Sequence, residues 1–353
     1  MKFGTIPVAD SAGAILAHAV RRPGLTLKKG DVIGPQEMRL LQEFGVAEIV
    51  GAQLDSDDVG EDAAAAQLAQ AIAGEGLRIE APFTGRSNLF AVRSGLLKVD
   101  AAAIDRVNGL DESVTIATLP QHRAVVEGEM IGTVKIIPFA VPGALLRRAI
   151  VAAGGAIVSV KPYRAMSVAV VSTLLPGLKP QTVEKTARVL QERLAPAHAR
   201  IVDHARVEHD AAALAPAIAA AARMADLVVV FGASAITDRR DVIPAALERA
   251  GGRVEHFGMP VDPGNLLLIG QSADGKPVVG APGCARSPRE NGFDFILSRL
   301  LAGERPTSAE IRAMGVGGLL MEIVSRPQPR EGGESRDDHG AHASAAQTKD
   351  GDV

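Results

Sequence analysis

Hydrophobic residues in the second half of the chain alternate between two spacings. Near-continuous apolar runs, such as those at 166–173 and 226–234, are typical of strands buried on both faces of a sheet. Between and after them, apolar residues recur at helical spacing, at 181–195, 210–224 and 241–252. Further strand signals lie near 253–258, 265–269 and 277–281, before a last helix at 291–302. This alternation predicts a three-layer αβα domain over 165–326, with a parallel-rich sheet and helices on both faces.

The first 160 residues have a different pattern, in which short β-branched runs are separated by turn residues. Runs at 46–54 and 130–142 predict strands, while 35–45 and the alanine-rich segment 61–74 predict helices. We therefore expect a β-rich α+β region over 1–160. The last segment, 327–353, has almost no large apolar residues and cannot offset the entropy of ordering, so we expect it to be disordered.

The length and composition of the chain indicate which classes of protein it can belong to. A chain of 353 residues that is 47% hydrophobic and 22% charged is long enough for two domains with buried cores. No apolar run approaches the roughly 20 residues of a membrane span, and the N-terminus lacks the pattern of a signal peptide. The single cysteine, Cys284, excludes an intrachain disulfide and fits a reducing cytoplasm. A net charge of −3 and the absence of tryptophan argue against a nucleic-acid binder. We expect a cytoplasmic protein.

Candidate chemistry lies in the loops after the strands, because open parallel sheets bind ligands beyond their carboxyl ends. In the segment 232–246, at the end of the strand predicted at 226–234, the small residues Gly232 and Ala233 let backbone N–H groups approach a ligand, and Ser234 and Thr237 offer hydroxyls to a phosphate. Carboxylates and arginines follow, in the order Asp238, Arg239, Arg240 and Asp241. This set suits a phosphate that needs both anchoring and a metal or acid–base partner. The alternative is that Asp241 only caps the next helix and that the arginines are solvated.

Two further loops carry turn residues beside strands. Pro263 and Gly264 impose a turn before an apolar strand and place Asn265 to contact a ligand, although an ordinary turn explains this segment equally well. Pro282 and Gly283 turn the chain after 277–281 and are followed by Cys284 and Ser287. We interpret Cys284 as a small residue that fills a tight loop rather than as a nucleophile. Neither a Walker-type GxxxxGK[ST] loop nor a GxGxxG after a strand is present, which disfavours P-loop ATPases and standard dinucleotide dehydrogenases.

Together these loops resemble those of the molybdopterin-binding domain that molybdopterin adenylyltransferase, molybdopterin molybdotransferase and gephyrin share. In that family a buried strand precedes a Gly-Gly-Thr/Ser-Gly loop and an Arg-Asp-Val-Thr-Pro stretch, which "FGASAITDRRDVIPAA" (231–246) resembles. The family's Pro-Gly-x-Pro turn is mirrored by "DPGNLLLIG" (262–270), and its Leu-Pro-Gly-Asn-Pro loop by "GAPGCARSP" (280–288). The resemblance covers about 165–302. Residues 1–160 are more loosely similar to the N-terminal part of the molybdotransferase, as found in bacterial fusions with a cofactor nucleotidyltransferase.

The resemblance implies a site and also shows departures from the family's pattern. It implies that Asp241, with Asp238 as the other candidate, is the carboxylate needed for transfer, and that Asp241 holds Mg²⁺ if a metal takes part. The residues implied to bind the pterin are Gly232, Ala233, Ser234, Thr237, Arg240, Pro263, Gly264, Asn265, Pro282, Gly283, Cys284 and Ser287. Alanine stands at 233 where the family has glycine, Asn265 replaces a lysine, and Cys284 replaces an asparagine.

Three functions follow from these observations. The first is an enzyme of molybdenum cofactor biosynthesis that transfers molybdate or a nucleotidyl group to molybdopterin. The second is a carrier that holds molybdopterin for a separate nucleotidyltransferase or a molybdoenzyme. The third is an α/β phosphate-binding protein without pterin specificity, because a fold alone does not establish a function. Relatives of this domain usually associate, so a homo-oligomer is expected, and the alanine-rich helix near 210–224 needs a surface to pack against, which its own sheet can also provide.

Overall fold

The first half of the chain forms small sheets and helices, as its short β-branched runs predict. The computed structural model describes residues 1–320, so the tail 327–353 and the end of the predicted α/β domain lie outside the described residues. The strands are β1 (Lys2–Pro7), β2 (Ile15–Leu16), β3 (Val20–Arg22), β4 (Leu25–Leu27), β5 (Glu48–Gln53), β6 (Asp58–Gly60), β7 (Leu77–Ile79), β8 (Arg86–Ala91), β9 (Gly95–Val99), β10 (Val114–Thr118), β11 (Ala124–Val125), β12 (Met130–Ile136), β13 (Ala140–Pro142) and β14 (Val158–Pro162). The helices are α1 (Pro35–Glu43), α2 (Glu61–Ile72), α3 (Ala101–Asn108) and α4 (Gly143–Ala153).

This half has hydrophobic cores of its own. Its largest sheet has the strand order β10-β12-β8-β7 and packs against α2, which buries Leu68 and Ile72 completely. A separate cluster near the N-terminus forms around Leu16, Ile33 and Leu41. The β-rich α+β architecture expected for this region is therefore confirmed.

The second half begins after β14 and contains the longest strands and helices. Its strands are β15 (Ser167–Leu174), β16 (Arg200–Glu208), β17 (Leu227–Phe231), β18 (Arg253–Phe257), β19 (Leu268–Gln271) and β20 (Pro277–Ala281). Its helices are α5 (Pro180–Leu194), α6 (Ala211–Met224), α7 (Val242–Arg249), α8 (Gly292–Leu301) and α9 (Ser308–Arg312). Each predicted strand and helix of this half is present, with ends that differ by a few residues.

The six strands form one sheet between two layers of helices. Their order is β16-β15-β17-β20-β19-β18. Successive residues of a strand face opposite sides of a sheet. On one side, Val168 and Val170 of β15 belong to a core that includes residues of α5 and α8. On the other side, Ala169 and Val171 belong to a core with α6 and α7. This arrangement confirms the three-layer αβα domain.

One strand of this sheet runs against the others. β16, β15, β17 and β20 are parallel, whereas β19 pairs antiparallel with both β20 and β18. The connections on either side of β19 contain no helix, and only residues 272–276 separate it from β20. A parallel connection needs a crossover of about a dozen residues or more, so such a short connection reverses the chain direction. As a result, the loop before β19 lies at the carboxyl ends of the parallel strands.

The alanine-rich helix α6 packs on its own sheet. It buries Leu214, Ala215 and Ile218 in the core that it shares with β15, β17 and α7. The small side chains allow this helix to lie close to the strands. Its composition therefore requires no second subunit, and the predicted homo-oligomer stays a prediction.

Candidate functional site

The three loops singled out by the sequence meet at one edge of the six-stranded sheet. The strand register pairs Phe231 with Ala281 and Leu268 with Gly280, so the carboxyl ends of β17 and β20 lie beside the amino end of β19. The loops 232–241, 263–267 and 282–287 therefore open on the same side of the domain. We call this side the carboxyl edge. The carboxyl end of β18 also lies there, because β18 is antiparallel to β19.

The loop after β17 turns tightly and is attached to the neighbouring strand. A Cβ atom on Gly232 would lie 2.6 Å from the carbonyl oxygen of Ser234, so the turn requires glycine at this position. The backbone N–H of Ala233 donates to Thr173 Oγ1 at 2.8 Å, and Thr173 Oγ1 lies 2.8 Å from His209 Nδ1. The amide of Ala233 is therefore used inside the protein. The hydroxyl of Ser234 is exposed at the carboxyl edge.

Asp241 caps α7 and organises the loop before it. Its Oδ1 accepts the N–H of Val242 at 2.7 Å, and its Oδ2 accepts the N–H of Thr237 at 3.0 Å and the Thr237 hydroxyl at 3.4 Å. Burial acts to raise the pKa of Asp241, but these hydrogen bonds and the nearby charge of His209 outweigh it and hold the pKa below its usual value. The carboxylate is therefore ionised at neutral pH, and its Oδ1 retains a lone pair for a ligand.

Asp238 and Arg240 form an exposed pair with each other. Arg240 Nε donates to Asp238 Oδ1 at 2.7 Å, and the side chain of Arg240 is 92% exposed. The hydrogen bond from Arg240 lowers the pKa of Asp238. Because each group neutralises the other in solvent, this pair offers less net charge to a ligand than the sequence suggests.

The loop before β19 is packed against the start of α8. The Asp262–Pro263 peptide bond is cis, and the carbonyl of Pro263 accepts the N–H of Gly292 at 2.8 Å. A Cβ atom on Gly264 would lie 2.6 Å from the nitrogen of Gly292, so the two backbones approach at glycines. Pro263 and Gly264 are buried, and Asn265 is exposed to a ligand.

The loop after β20 directs its cysteine inward. Cys284 is 7% exposed, and its thiol donates to Asn291 Oδ1 at 3.6 Å. This placement agrees with the interpretation of Cys284 as a residue that fills a tight loop. Arg193 of α5 supports the loop from behind by donating to the carbonyls of Ala285 at 2.9 Å and Ser287 at 2.7 Å. Pro282 is buried, and Gly283 is exposed.

Arg286 is the most informative residue that sequence reasoning missed. It donates to the carbonyl of Gly232 at 2.8 Å and to Thr186 Oγ1 at 3.2 Å, and its guanidinium lies 5.7 Å from the centre of the Phe231 ring. Burial lowers the pKa of Arg286, but an arginine still remains charged. Among residues 1–320, no carboxylate lies within 4 Å of it to balance the charge. The carboxyl edge thus contains a half-buried positive charge that joins the loops after β17 and β20.

Within residues 1–320 there is no group of three or more histidine, cysteine, aspartate and glutamate side chains that could hold a metal ion. Over the same residues, no helix has both the length and the apolar character needed to cross a membrane.

The family comparison covers this α/β half. Residues 141–302, less than half of the chain, match the family described as "Probable molybdopterin binding domain". This part of the chain is similar to that family. The matched segment includes all three loops of the carboxyl edge together with Thr173, His209 and Arg286. It links the chain to molybdenum cofactor biosynthesis, as the resemblance implied.

Other comparisons extend beyond this domain. Residues 5–53 match a family described only as a domain of unknown function, and no curated protein matches the chain. The chain is similar to the molybdopterin biosynthesis moea protein from Pyrococcus horikosii at 17% identity, covering 86% of this chain and 75% of that one, with a TM-score of 0.30. It is also similar to a molybdenum cofactor biosynthesis protein from Pyrococcus furiosus at 12% identity, covering 86% and 66%, with a TM-score of 0.25.

Proposed function

We propose that the αβα domain binds molybdopterin at the carboxyl edge, with the phosphate of the pterin between the loops 232–241 and 282–287. The observation that carries this proposal is Arg286, a half-buried cation without a carboxylate partner among residues 1–320. Charge-assisted hydrogen bonds from a guanidinium to a phosphate are strong and directional. Two of its five N–H groups bond to Gly232 and Thr186, which leaves the others for the ligand.

The other loop residues complete the proposed phosphate site. The turn at Gly232 allows the ligand to approach the backbone closely, and the hydroxyls of Ser234 and Thr237 can donate to phosphate oxygens. The exposed Asn265 can contact the pterin from the β19 side. Because Asp238 and Arg240 neutralise each other, we assign them a smaller part in binding.

A transfer step would depend on Asp241. Its ionised carboxylate can hold a proton or a Mg²⁺ ion, which prefers oxygen ligands from one or two carboxylates together with phosphates. Mg²⁺ would supply charge stabilisation to a transferring group. Asp241 itself would orient that group through Oδ1 while its backbone contacts hold the carboxylate in place. These roles support a molybdotransferase or nucleotidyltransferase.

The second candidate is a carrier that delivers molybdopterin to a nucleotidyltransferase or a molybdoenzyme. It is favoured by the engagement of both Asp241 oxygens, Oδ1 in capping α7 and Oδ2 in bonding Thr237 of the loop, and by the neutral Asn265 in place of a basic residue. A carrier needs the phosphate site but no reactive carboxylate. In this reading Asp241 is a structural residue.

Anaerobic calorimetric titration with molybdopterin tests the proposal. The wild-type protein should bind, and Arg286→Gln should bind roughly tenfold or more weakly because it loses a charge-assisted contact. Arg223→Gln removes an exposed arginine at the opposite edge of the sheet and should bind like the wild type. An absence of binding by the wild type, or equal binding by Arg286→Gln, would contradict the proposal.

Nucleotide turnover separates the two candidates. The same titrations are repeated with Mg-ATP or Mg-CTP for the wild type and for Asp241→Asn, which preserves a capping side chain. Turnover that is lost in Asp241→Asn supports the transferase. Binding of molybdopterin without turnover supports the carrier.

A further inference from the structure

A second cleft opens on the carboxyl edge beside the loop 232–241. Its volume is about 680 Å³, which lies in the range of small-molecule sites. Arg239 lines it from the loop, His256 and Phe257 line it from the end of β18, and Arg312 lines it from α9. Gly232, Ser234, Thr237 and Arg286, which we assign to the phosphate of molybdopterin, do not line this cleft. We call it the β18 cleft.

A β-bulge in the edge strand β18 forms part of the wall of the β18 cleft. The register of β18 against β19 shifts between Val254 and His256, so Glu255 is an extra residue in the strand. Such bulges redirect side chains and are common beside active sites. The hydroxyl of Ser308 donates to the carbonyl of Glu255 at 3.2 Å and fixes α9 against the bulge. Arg312, in the last turn of α9, is thereby held beside His256.

The arginines of the cleft have no acidic partners. Among residues 1–320, neither Arg239 nor Arg312 has a carboxylate within 4 Å. The acidic residues nearest in the sequence are bound elsewhere: Asp238 pairs with Arg240 at 2.7 Å, Glu255 with Arg253 at 3.2 Å, and Glu310 with Arg299 at 2.5 Å. Among residues 1–320, Glu255 is the carboxylate that lines the cleft, and it is paired with Arg253 rather than with Arg239 or Arg312.

The pKa of His256 is affected by the positive charge of the two arginines. Burial lowers the pKa of His256, and the charges of Arg312 and Arg239 lower it further, against the opposing effect of a hydrogen bond with Gly258. The imidazole is therefore neutral at physiological pH and can donate or accept a hydrogen bond. Both arginines are exposed and act on this histidine with positive charge, and an anion bound beside them would offset that charge.

We propose that the β18 cleft is a second anion site, which binds a tetrahedral oxyanion between Arg239 and Arg312. The apolar side chains of Phe257 and Met259 line the same cleft and can contact the organic part of a phosphorylated ligand. The oxyanion can come from a phosphoryl group of a ligand that also occupies the phosphate site, or from a free inorganic anion. The presence of the site does not depend on the proposed function. A phosphoryl group of a ligand that also occupies the phosphate site is the one source that rests on that function.

Calorimetric titration with inorganic phosphate, at constant ionic strength, tests the cleft. The experiment uses Arg286→Gln as the parent protein, so that the site between the loops 232–241 and 282–287 contributes little. Saturable binding should persist in the parent and become roughly tenfold weaker when Arg239→Gln or Arg312→Gln is added. Adding Arg249→Gln, an exposed arginine at the end of α7, should leave the affinity unchanged.

The outcomes of this experiment distinguish a failure of the cleft proposal from a failure of the proposed function. The proposal is overturned if the parent shows no saturable binding, if neither cleft variant weakens it, or if Arg249→Gln weakens it equally. Where the site is present, molybdopterin titrations with Arg312→Gln in the wild-type background identify the source. Weaker molybdopterin binding indicates a phosphoryl group of a spanning ligand, and an unchanged affinity indicates a free oxyanion. Loss of all molybdopterin binding with phosphate binding retained would reject the proposed function alone.

Discussion

Thr173 shows how one hydroxyl can hold a ligand loop in place. Its side chain is 1% exposed, and its Oγ1 lies 2.8 Å from both the nitrogen of Ala233 and Nδ1 of His209. It thus connects β15, the loop after β17 and the end of β16. A partly buried N–H group that loses its partner costs free energy, so this hydroxyl helps to hold the loop in place.

Thr173→Val should destabilise the protein and weaken ligand binding. Valine has nearly the same shape but no hydroxyl, so it leaves the Ala233 N–H and His209 Nδ1 without this partner. The free energy of unfolding should fall by about 1–3 kcal/mol in urea titrations. The affinity for molybdopterin should fall as well, because the loop 232–237 loses its support. Thr173→Ser keeps the hydroxyl and should retain the wild-type affinity; equal losses in both variants would show that the methyl group matters instead.

Sequence reasoning predicted the small and hydroxyl-bearing residues of the site but not their partners. Gly232 is recognisable because a small residue after a buried strand signals close backbone approach. In the sequence, Thr173 is recognisable only as the end of an apolar run. Its partners, His209 and Ala233, lie 36 and 60 positions further along the chain. Arg286 lies in a loop that the sequence did single out, yet its contact with Gly232 depends on the pairing of β17 with β20. Such contacts require the sheet order, which the spacing of apolar residues does not give.

At the scale of elements, α7 depends on Asp241 as its N-cap. Asp241→Ala removes the acceptor for the N–H groups of Val242 and Thr237, and should reduce the free energy of unfolding by about 0.5–2 kcal/mol. Asp241→Asn should lose less than this, because asparagine is also a good N-cap and its one amide oxygen can still accept one of the two N–H groups. Thermal and urea unfolding of both variants measure the difference. Equal destabilisation by the two substitutions would mean that the charge rather than the cap holds the loop.

The elements themselves could be predicted well, whereas the direction of β19 could not. Periodicity located the six strands and the helices between them to within a few residues. It carries no information on strand direction, which here follows from connections too short to contain a helix. This reversal matters for function, because it brings Pro263, Gly264 and Asn265 to the same edge as Arg286.

At the scale of the whole molecule, a cluster of charges joins the two halves. Glu304, between α8 and α9, accepts from Lys98 of β9 at 2.9 Å and from Lys161 of β14 at 3.2 Å. Burial acts to raise the pKa of Glu304, but the hydrogen bonds from the two lysines outweigh it and lower the pKa. No pattern of residues indicated this cluster, since its members lie in separate regions of the chain. The division near residues 160–165, the disordered tail and the cytoplasmic location stay predictions.

His122 makes the stability of this junction depend on pH. Its Nε2 lies 3.0 Å from Lys98 Nζ and 3.9 Å from Glu304. Burial lowers the pKa of His122 to about 4, with further contributions from Arg299 and Lys98 that exceed the opposing effects of Glu304 and Glu310. An unfolded histidine has a pKa of about 6.5, so between these values the unfolded chain binds the proton more readily. The free energy of unfolding should therefore fall as the pH drops from 6.5 to 4.

The variant His122→Asn tests this pH dependence. Asparagine tolerates the positive φ of 64° at this position and does not titrate. The variant should therefore lose the part of the pH dependence of the free energy of unfolding that His122 contributes, which is up to about 3 kcal/mol between pH 6.5 and 4. Urea unfolding at pH 7.5, 5.5 and 4 measures both profiles. His198→Asn, which removes an exposed histidine with φ of 52°, should follow the wild type. Parallel profiles for His122→Asn and the wild type would contradict this assignment. The carboxylates Glu304 and Glu310 have lowered pKa values, so their stabilising contribution is lost only as the pH falls from the unfolded value of about 4.3 towards their folded pKa.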